Sequence, residues 1–90
     1  MYKLILTDSY IKKEKIFLKK HNDLKEKYKK TLLFLKANPH HPSLRLHKLQ
    51  GVLKEYHSVL ISMNYRIILE LLITDEDIIL LNVGKHDEVY

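Results

Sequence analysis

The run Asn38-Pro39-His40-His41-Pro42 divides this chain into two halves that must fold differently. Proline has no backbone N–H to donate and biases the residue before it away from the helical region, so a helix that reaches Asn38 has to stop there. Upstream of the break, apolar residues recur with a helical period. Leu24, Tyr28, Thr31, Leu32 and Leu35 form one stripe at i, i+4, i+7, i+8 and i+11, leaving Lys25, Lys27, Lys29, Lys30 and Lys36 mostly toward solvent. The spacing predicts a helix over 23–37, opened by Asn22-Asp23, with Glu26 three residues after Asp23 as in a capping box. A first helix over 9–20 is capped by the side-chain oxygens of Thr7-Asp8-Ser9. Its buried face stays open between two pairs seven residues apart, Ile11 with Leu18 and Tyr10 with Phe17. Ahead of it, Tyr2 to Thr7 reads as a short strand.

Downstream of the break the chain looks extended. Leu44 to Leu49 alternates as a strand, Gln50-Gly51 punctuates, and further runs cover 55–62, 65–73 and 78–83. A tight turn at Met63-Asn64 and the polar run Thr74-Asp75-Glu76-Asp77 join them. The expected architecture is α+β: an N-terminal strand, a two-helix hairpin, then an antiparallel β-meander of three to four strands. The hairpin covers one face of a single antiparallel sheet and leaves the other at least partly open. With Met63-Asn64 as a two-residue loop, His57 pairs with Glu70 and Ile61 with Arg66, which puts His57 and Arg66 on one face.

Ninety residues are enough for one domain, 1–90, that buries roughly 65% of its surface without staples. With no cysteine there is no disulfide, no thiolate zinc site and no cysteine nucleophile, so a reducing compartment, the cytoplasm, is expected. Apolar runs such as Ile78-Ile79-Leu80-Leu81 fall far short of a membrane span, and Met1-Tyr2-Lys3 opens no signal-peptide pattern. Gly51 and Gly84 are the only glycines, too few for a phosphate-cradling loop, so nucleotide-dependent chemistry is not expected and neither is a cofactor. Residues 1–57 carry a net charge of +9 and residues 58–90 carry −4, which together make the +5 of the whole. Such asymmetry suits a surface facing RNA, DNA or an acidic protein, but 14 lysines to 2 arginines equally suits solvated helix faces in a lysine-rich protein. Lys12, Lys13, Lys19, Lys20, Lys29 and Lys30 can supply electrostatic steering in the first case.

The residues able to carry chemistry lie in the second half: His40, His41, His47, Lys48, His57, Arg66, Lys85, His86, Asp87 and Tyr90. Their types point to phosphate. RNA is cut without a metal when a base takes the 2′-hydroxyl proton, the oxygen attacks the adjacent phosphorus, and an acid protonates the departing 5′-oxygen. Histidine suits both proton roles near neutral pH, and Arg or Lys stabilises charge on the phosphoryl oxygens. A metal site built on His40, His41 and His47 lacks both HExxH and any cysteine pattern, so none is expected. Asp75-Glu76-Asp77 is read as a structural turn.

Leu44-Arg45-Leu46-His47-Lys48-Leu49-Gln50-Gly51, then Tyr56, then Asn64-Tyr65-Arg66-Ile67, and finally Val83-Gly84-Lys85-His86-Asp87-Glu88-Val89-Tyr90 resemble the RelE/ParE superfamily of bacterial type II toxins, most nearly its RelE/YafQ branch. The motifs span the second half; the first half agrees in element order. The resemblance implies a small sheet with a helical hairpin, a toxin that enters the 30S A site of the ribosome and cleaves messenger RNA, and neutralisation by a cognate antitoxin. By position, Arg66 matches a phosphate-stabilising arginine and Tyr90 a C-terminal aromatic that stacks on or orients the substrate. His86 falls where the family carries a catalytic arginine or histidine. His47 matches a histidine just before "LQG", and His57 sits where RelE-like sequences have a lysine. Lys48, Lys54, Lys85 and Tyr65 complete the expected RNA-binding set. Departures are Val59 in place of a second lysine, Leu60 in place of an active-site histidine, and Asn64-Tyr65 in place of an Asp-Trp pair. The resemblance also reaches the ParE branch, whose members poison DNA gyrase, and a degenerate, non-toxic member is the third reading.

Overall fold

The computed structural model describes residues 1–51, 55–72 and 75–85. Strand β1 (Lys3–Leu6) leads into helices α1 (Asp8–Lys20) and α2 (Lys25–Ala37), followed by strands β2 (His47–Lys48), β3 (His57–Ser62), β4 (Tyr65–Leu72) and β5 (Asp77–Lys85). The α+β order expected from the sequence is met. The five strands make one sheet in the order β1-β5-β4-β3-β2. β2 through β5 are antiparallel neighbours, but β1 lies parallel to β5, pairing Leu4 with Ile78 and Leu6 with Leu80. The sheet is therefore mixed, and the expectation of a wholly antiparallel sheet is corrected at that edge. The helical hairpin carries the chain from β1 to β2 at the opposite edge, and the meander then returns across the sheet until β5 lies beside β1 and parallel to it.

Helix α1 starts where Thr7 can cap it: the Thr7 hydroxyl oxygen accepts from the Tyr10 N–H at 3.2 Å while its O–H donates to the Leu80 carbonyl at 3.0 Å, tying the helix start to β5. Of the two candidate faces of α1, Tyr10 and Phe17 are buried and Ile11 is exposed. Helix α2 buries Tyr28, Thr31 and Leu35 as its stripe predicts. It begins two residues later than expected, because Asn22–Leu24 form a 3-10 turn and Leu24, which precedes the helix, gives no side-chain cap. The Tyr28 hydroxyl donates to Glu14 Oε2 at 2.5 Å and accepts from the Tyr10 hydroxyl at 2.6 Å, joining the two helices. Burial pushes both phenols well above the usual tyrosine range, so both stay protonated.

Two strand expectations are corrected. Leu44 to Leu49 is not a strand: Pro42–Leu44 is a 3-10 turn, Arg45 is left-handed at φ 48°, and pairing is confined to His47 and Lys48. Leu44 and Leu46 reach the main core from a turn, which imitates the alternation of a strand. The Met63-Asn64 turn forms, with Ser62 opposite Tyr65, but a bulge between Leu60 and Ser62 then shifts the ladder by one. Leu60, not Ile61, lies opposite Arg66, and Leu69, not Glu70, lies opposite His57. A shift of one residue moves side chains to the other face, so His57 and Arg66 do not share one.

The main core lies between the sheet and the helices, where Tyr10, Phe17, Tyr28 and Leu35 pack on Val59, Ile67, Leu69, Ile78 and Leu80. A smaller cluster, Leu49 and Ile68 with Tyr56 and Leu81, sits on the opposite face. The Leu49 N–H donates to the Tyr56 carbonyl at 2.9 Å, drawing the ends of the loop between β2 and β3 together beside it. The rest of that second face is where polar side chains of the meander emerge.

Candidate nucleic-acid interface

Strand alternation decides which of the expected site residues meet. Ile67 and Leu69 point into the main core and Ile68 into the small cluster, so Arg66 belongs with Ile68 on the face that the helices do not cover. Leu60 lies opposite Arg66 on one side and Gly84 on the other. Arg66 is only half-buried as a residue, yet its Nε and Nη1 are both buried with no hydrogen-bond partner among the described residues. Buried donors are nearly always satisfied, because an orphan one costs about 1–3 kcal/mol and more when charged. A guanidinium with no carboxylate partner among the described residues keeps its charge available to an anion such as a phosphate.

His47 joins Arg66 on this face. It pairs with Ser58, and Ser58 pairs with Ile68, so one row of side chains crosses β2, β3 and β4 on the Arg66 side. The His47 ring is exposed, and its Nδ1 lies 3.4 Å from the hydroxyl of Ser58, which is fully buried. When Nδ1–H donates to the Ser58 oxygen, Nε2 is bare and acts as a base; when Ser58 donates, Nε2 carries the proton and acts as an acid.

His57 goes the other way. It lies opposite Lys48 and Leu69, on the helix-facing side, with Nδ1 buried and without a hydrogen-bond partner among the described residues. Burial, and then the positive charges of Lys48, His40 and His47, lower its pKa, so the ring is neutral at pH 7. Tyr65 also faces the helices: its ring centre is 4.5 Å from that of His21 and 5.6 Å from that of Phe17. Lys48 and Lys85 are exposed at strand ends. Val59, at the position of the missing lysine, is fully buried in the main core, where a cation has no place. His86, Tyr90 and Lys54 lie outside the described residues. Ser58 and His21 were not candidates from the sequence. A serine in an alternating strand carries no signal, whereas His21 at the end of the Lys19-Lys20 helix terminus was visible as a cation-adjacent ring.

Among the described residues no group of three or more His, Cys, Asp or Glu side chains is placed to hold a metal ion, and no helix is long and apolar enough to cross a membrane.

No family model matches the sequence, and no curated protein matches it. Solved structures do. YafQ from Escherichia coli strain BL21(DE3) superposes with a TM-score of 0.81 at 22% identity, over 100% of this chain and 99% of that one. A copper-bound mutant toxin from Helicobacter pylori gives 0.75 at 28% identity, over 100% of both chains. The YoeB-YefM complex from Staphylococcus aureus gives 0.74 at 17% identity, over 96% of this chain and 98% of that one. Strand, helical hairpin and meander follow in the order that the resemblance implies, and the chain shares its fold with YafQ and YoeB.

Proposed function

We propose that this chain is the toxin of a bacterial type II toxin–antitoxin pair, and that it acts as an endoribonuclease on messenger RNA in the ribosomal A site. The observation that carries the reading is the Arg66 guanidinium, with two buried nitrogens unpartnered among the described residues, on the same face as the exposed His47. Solved toxins of the same fold, one of them in a complex with YefM, support it.

In the proposed reaction a base takes the proton of the RNA 2′-hydroxyl and the oxygen attacks the adjacent phosphorus. The P–O5′ bond breaks, the departing oxygen takes a proton from an acid, and a 2′,3′-cyclic phosphate remains. Arg66 binds the phosphoryl oxygens as charge accumulates on them, with Lys48, Lys54 and Lys85 holding flanking phosphates. His47 and His86 are the proton carriers, and Tyr90 orients the substrate. His57, neutral and on the helix-facing side, is a weaker candidate for direct contact. A cognate antitoxin is the protein partner, the cytoplasm the place of action, and no cofactor takes part.

The test is growth on induction of wild-type and Arg66→Ala chains at matched abundance, with primer extension on translated messages. The expected result is arrest and discrete cut sites for the wild type, with both lost in the variant. Arrest with intact messages and gyrase-dependent DNA damage would support the ParE-like reading instead. Unimpeded growth with the wild type would support the degenerate one, which Val59 and Leu60 motivate.

A further inference from the structure

Directly behind Arg66, on the helix-facing side of the sheet, lies a cavity of about 240 Å³. Its aromatic wall is Phe17, His21 and Tyr65, and Lys13, Lys20 and Lys85 stand around it. Phe17 is 4% exposed and fixed in the core, while His21 and Tyr65 are half-buried, their rings tilted at 54° and 4.5 Å apart. Asn82 also borders the same space, and its side-chain oxygen accepts from the Val83 N–H at 2.9 Å. No carboxylate is among the described residues lining it, and the three lysines are exposed without an ion-pair partner among the described residues.

The strand register connects this cavity to the face already described. Arg66 lies opposite Gly84, and their neighbours Tyr65 and Lys85 lie opposite each other. Successive residues on a strand point to opposite faces, so the same end of the β4–β5 pair offers a guanidinium on one side and an aromatic, cation-ringed pocket on the other. A polyanion crossing that end meets both. Flat rings edged by lysines match the requirements of an unpaired nucleotide, whose base stacks while its phosphates are neutralised. A helical peptide would need an apolar groove with successive anchor positions instead. Of the two aliphatic residues that line it, Val83 is buried at 6% exposure and Ile16, 56% exposed, lies between Lys13 and Lys20.

We infer that this cavity is a subsite for one unpaired RNA base next to the scissile phosphate, stacked against His21 and Tyr65, with its flanking phosphates on Lys13, Lys20 and Lys85. The inference rests on the RNA-cleaving reading and adds to it a determinant of which nucleotide is held.

The test uses the full chain and a short, fluorescently labelled single-stranded RNA with 2′-O-methyl sugars, which can bind but cannot be cut, followed by anisotropy. His21→Ala is expected to weaken binding about tenfold, the size of one lost aromatic stack. Scanning an abasic site along the RNA is expected to find one position with a similar loss, and that loss should vanish in His21→Ala. Because His21 touches the core, Lys13→Glu with Lys20→Glu, both at exposed positions, provides a second variant that should also lose affinity. Unchanged affinity in both variants overturns the subsite; if Arg66→Ala still abolishes message cleavage, the nuclease reading stands without it. A wild-type chain that neither binds the probe nor cuts messages brings down both. Variants that keep RNA affinity but lose affinity for a short acidic peptide overturn the inference in favour of a peptide groove.

Discussion

At the scale of single residues, two cationic or potentially cationic groups are held where the fold gains little from them. Arg66 spends desolvation free energy on two unpartnered nitrogens, so replacing it with an apolar side chain of similar reach should not destabilise the protein. Arg66→Met is expected to leave the melting temperature unchanged or raise it while abolishing growth arrest. A fall of several degrees would mean that the guanidinium serves the fold and not a ligand. His57 makes the complementary case through pH. Its folded-state pKa lies below the ordinary 6.5, so the unfolded chain takes up the proton first as pH falls. The stability it contributes is complete above about pH 6.5 and is lost as pH drops from there through the lowered value. His57→Gln, which cannot titrate, should therefore show a smaller loss of melting temperature than wild type between about pH 7.5 and pH 5.5. Parallel losses would remove His57 from the account of acid sensitivity.

At the scale of elements, the helical hairpin is pinned by a chain of hydroxyls, with Tyr28 in the middle. Tyr28→Phe removes both of its bonds and strands the Tyr10 hydroxyl, at a cost of about 1–3 kcal/mol. Tyr10→Phe leaves the bond from Tyr28 to Glu14 intact and should cost less, and the double variant should cost less than the sum of the two. Denaturant unfolding checks the order; equal single costs would contradict it. The elements were legible where their cause is local. The stripe from Leu24 to Leu35 and the stop at Pro39 follow from period and backbone chemistry within a few residues, and α2 ends at Ala37 as expected. The facing of His57 was not legible, because one extra residue at Ile61, with nothing in its side chain to announce it, reverses every position toward Lys48. The turn at Pro42–Leu44 hid for a related reason, since Leu44 and Leu46 have the spacing of a strand while Arg45 takes a left-handed backbone. Within the site, Arg66 announced itself by residue type, but its sharing a face with His47 depends on how three strands align, which is a tertiary fact.

At the scale of the whole molecule, the fold leaves its positive charge facing outward. Within the described residues the one ion pair joins the amino terminus to Glu76, at 3.8 Å, so the helix lysines pair with no described carboxylate. Lys12, Lys19 and Lys29 are exposed on α1 and α2, and no described aromatic ring or carboxylate engages them. Exposed charges of this kind contribute little to stability, but each one that meets a phosphate releases counterions, and the logarithm of affinity for a single strand then falls by about 0.7 per contact with the logarithm of salt. If the basic half is a polyanion surface, replacing these three lysines together by Gln should reduce that slope by about 2 for an uncleavable single-stranded RNA, with the melting temperature unchanged. If the lysines are only solvating helix faces, the slope will stay where it was. Affinity at one salt concentration cannot distinguish these cases, because removing charge weakens any anion binding. The slope can, since it counts the contacts that displace ions.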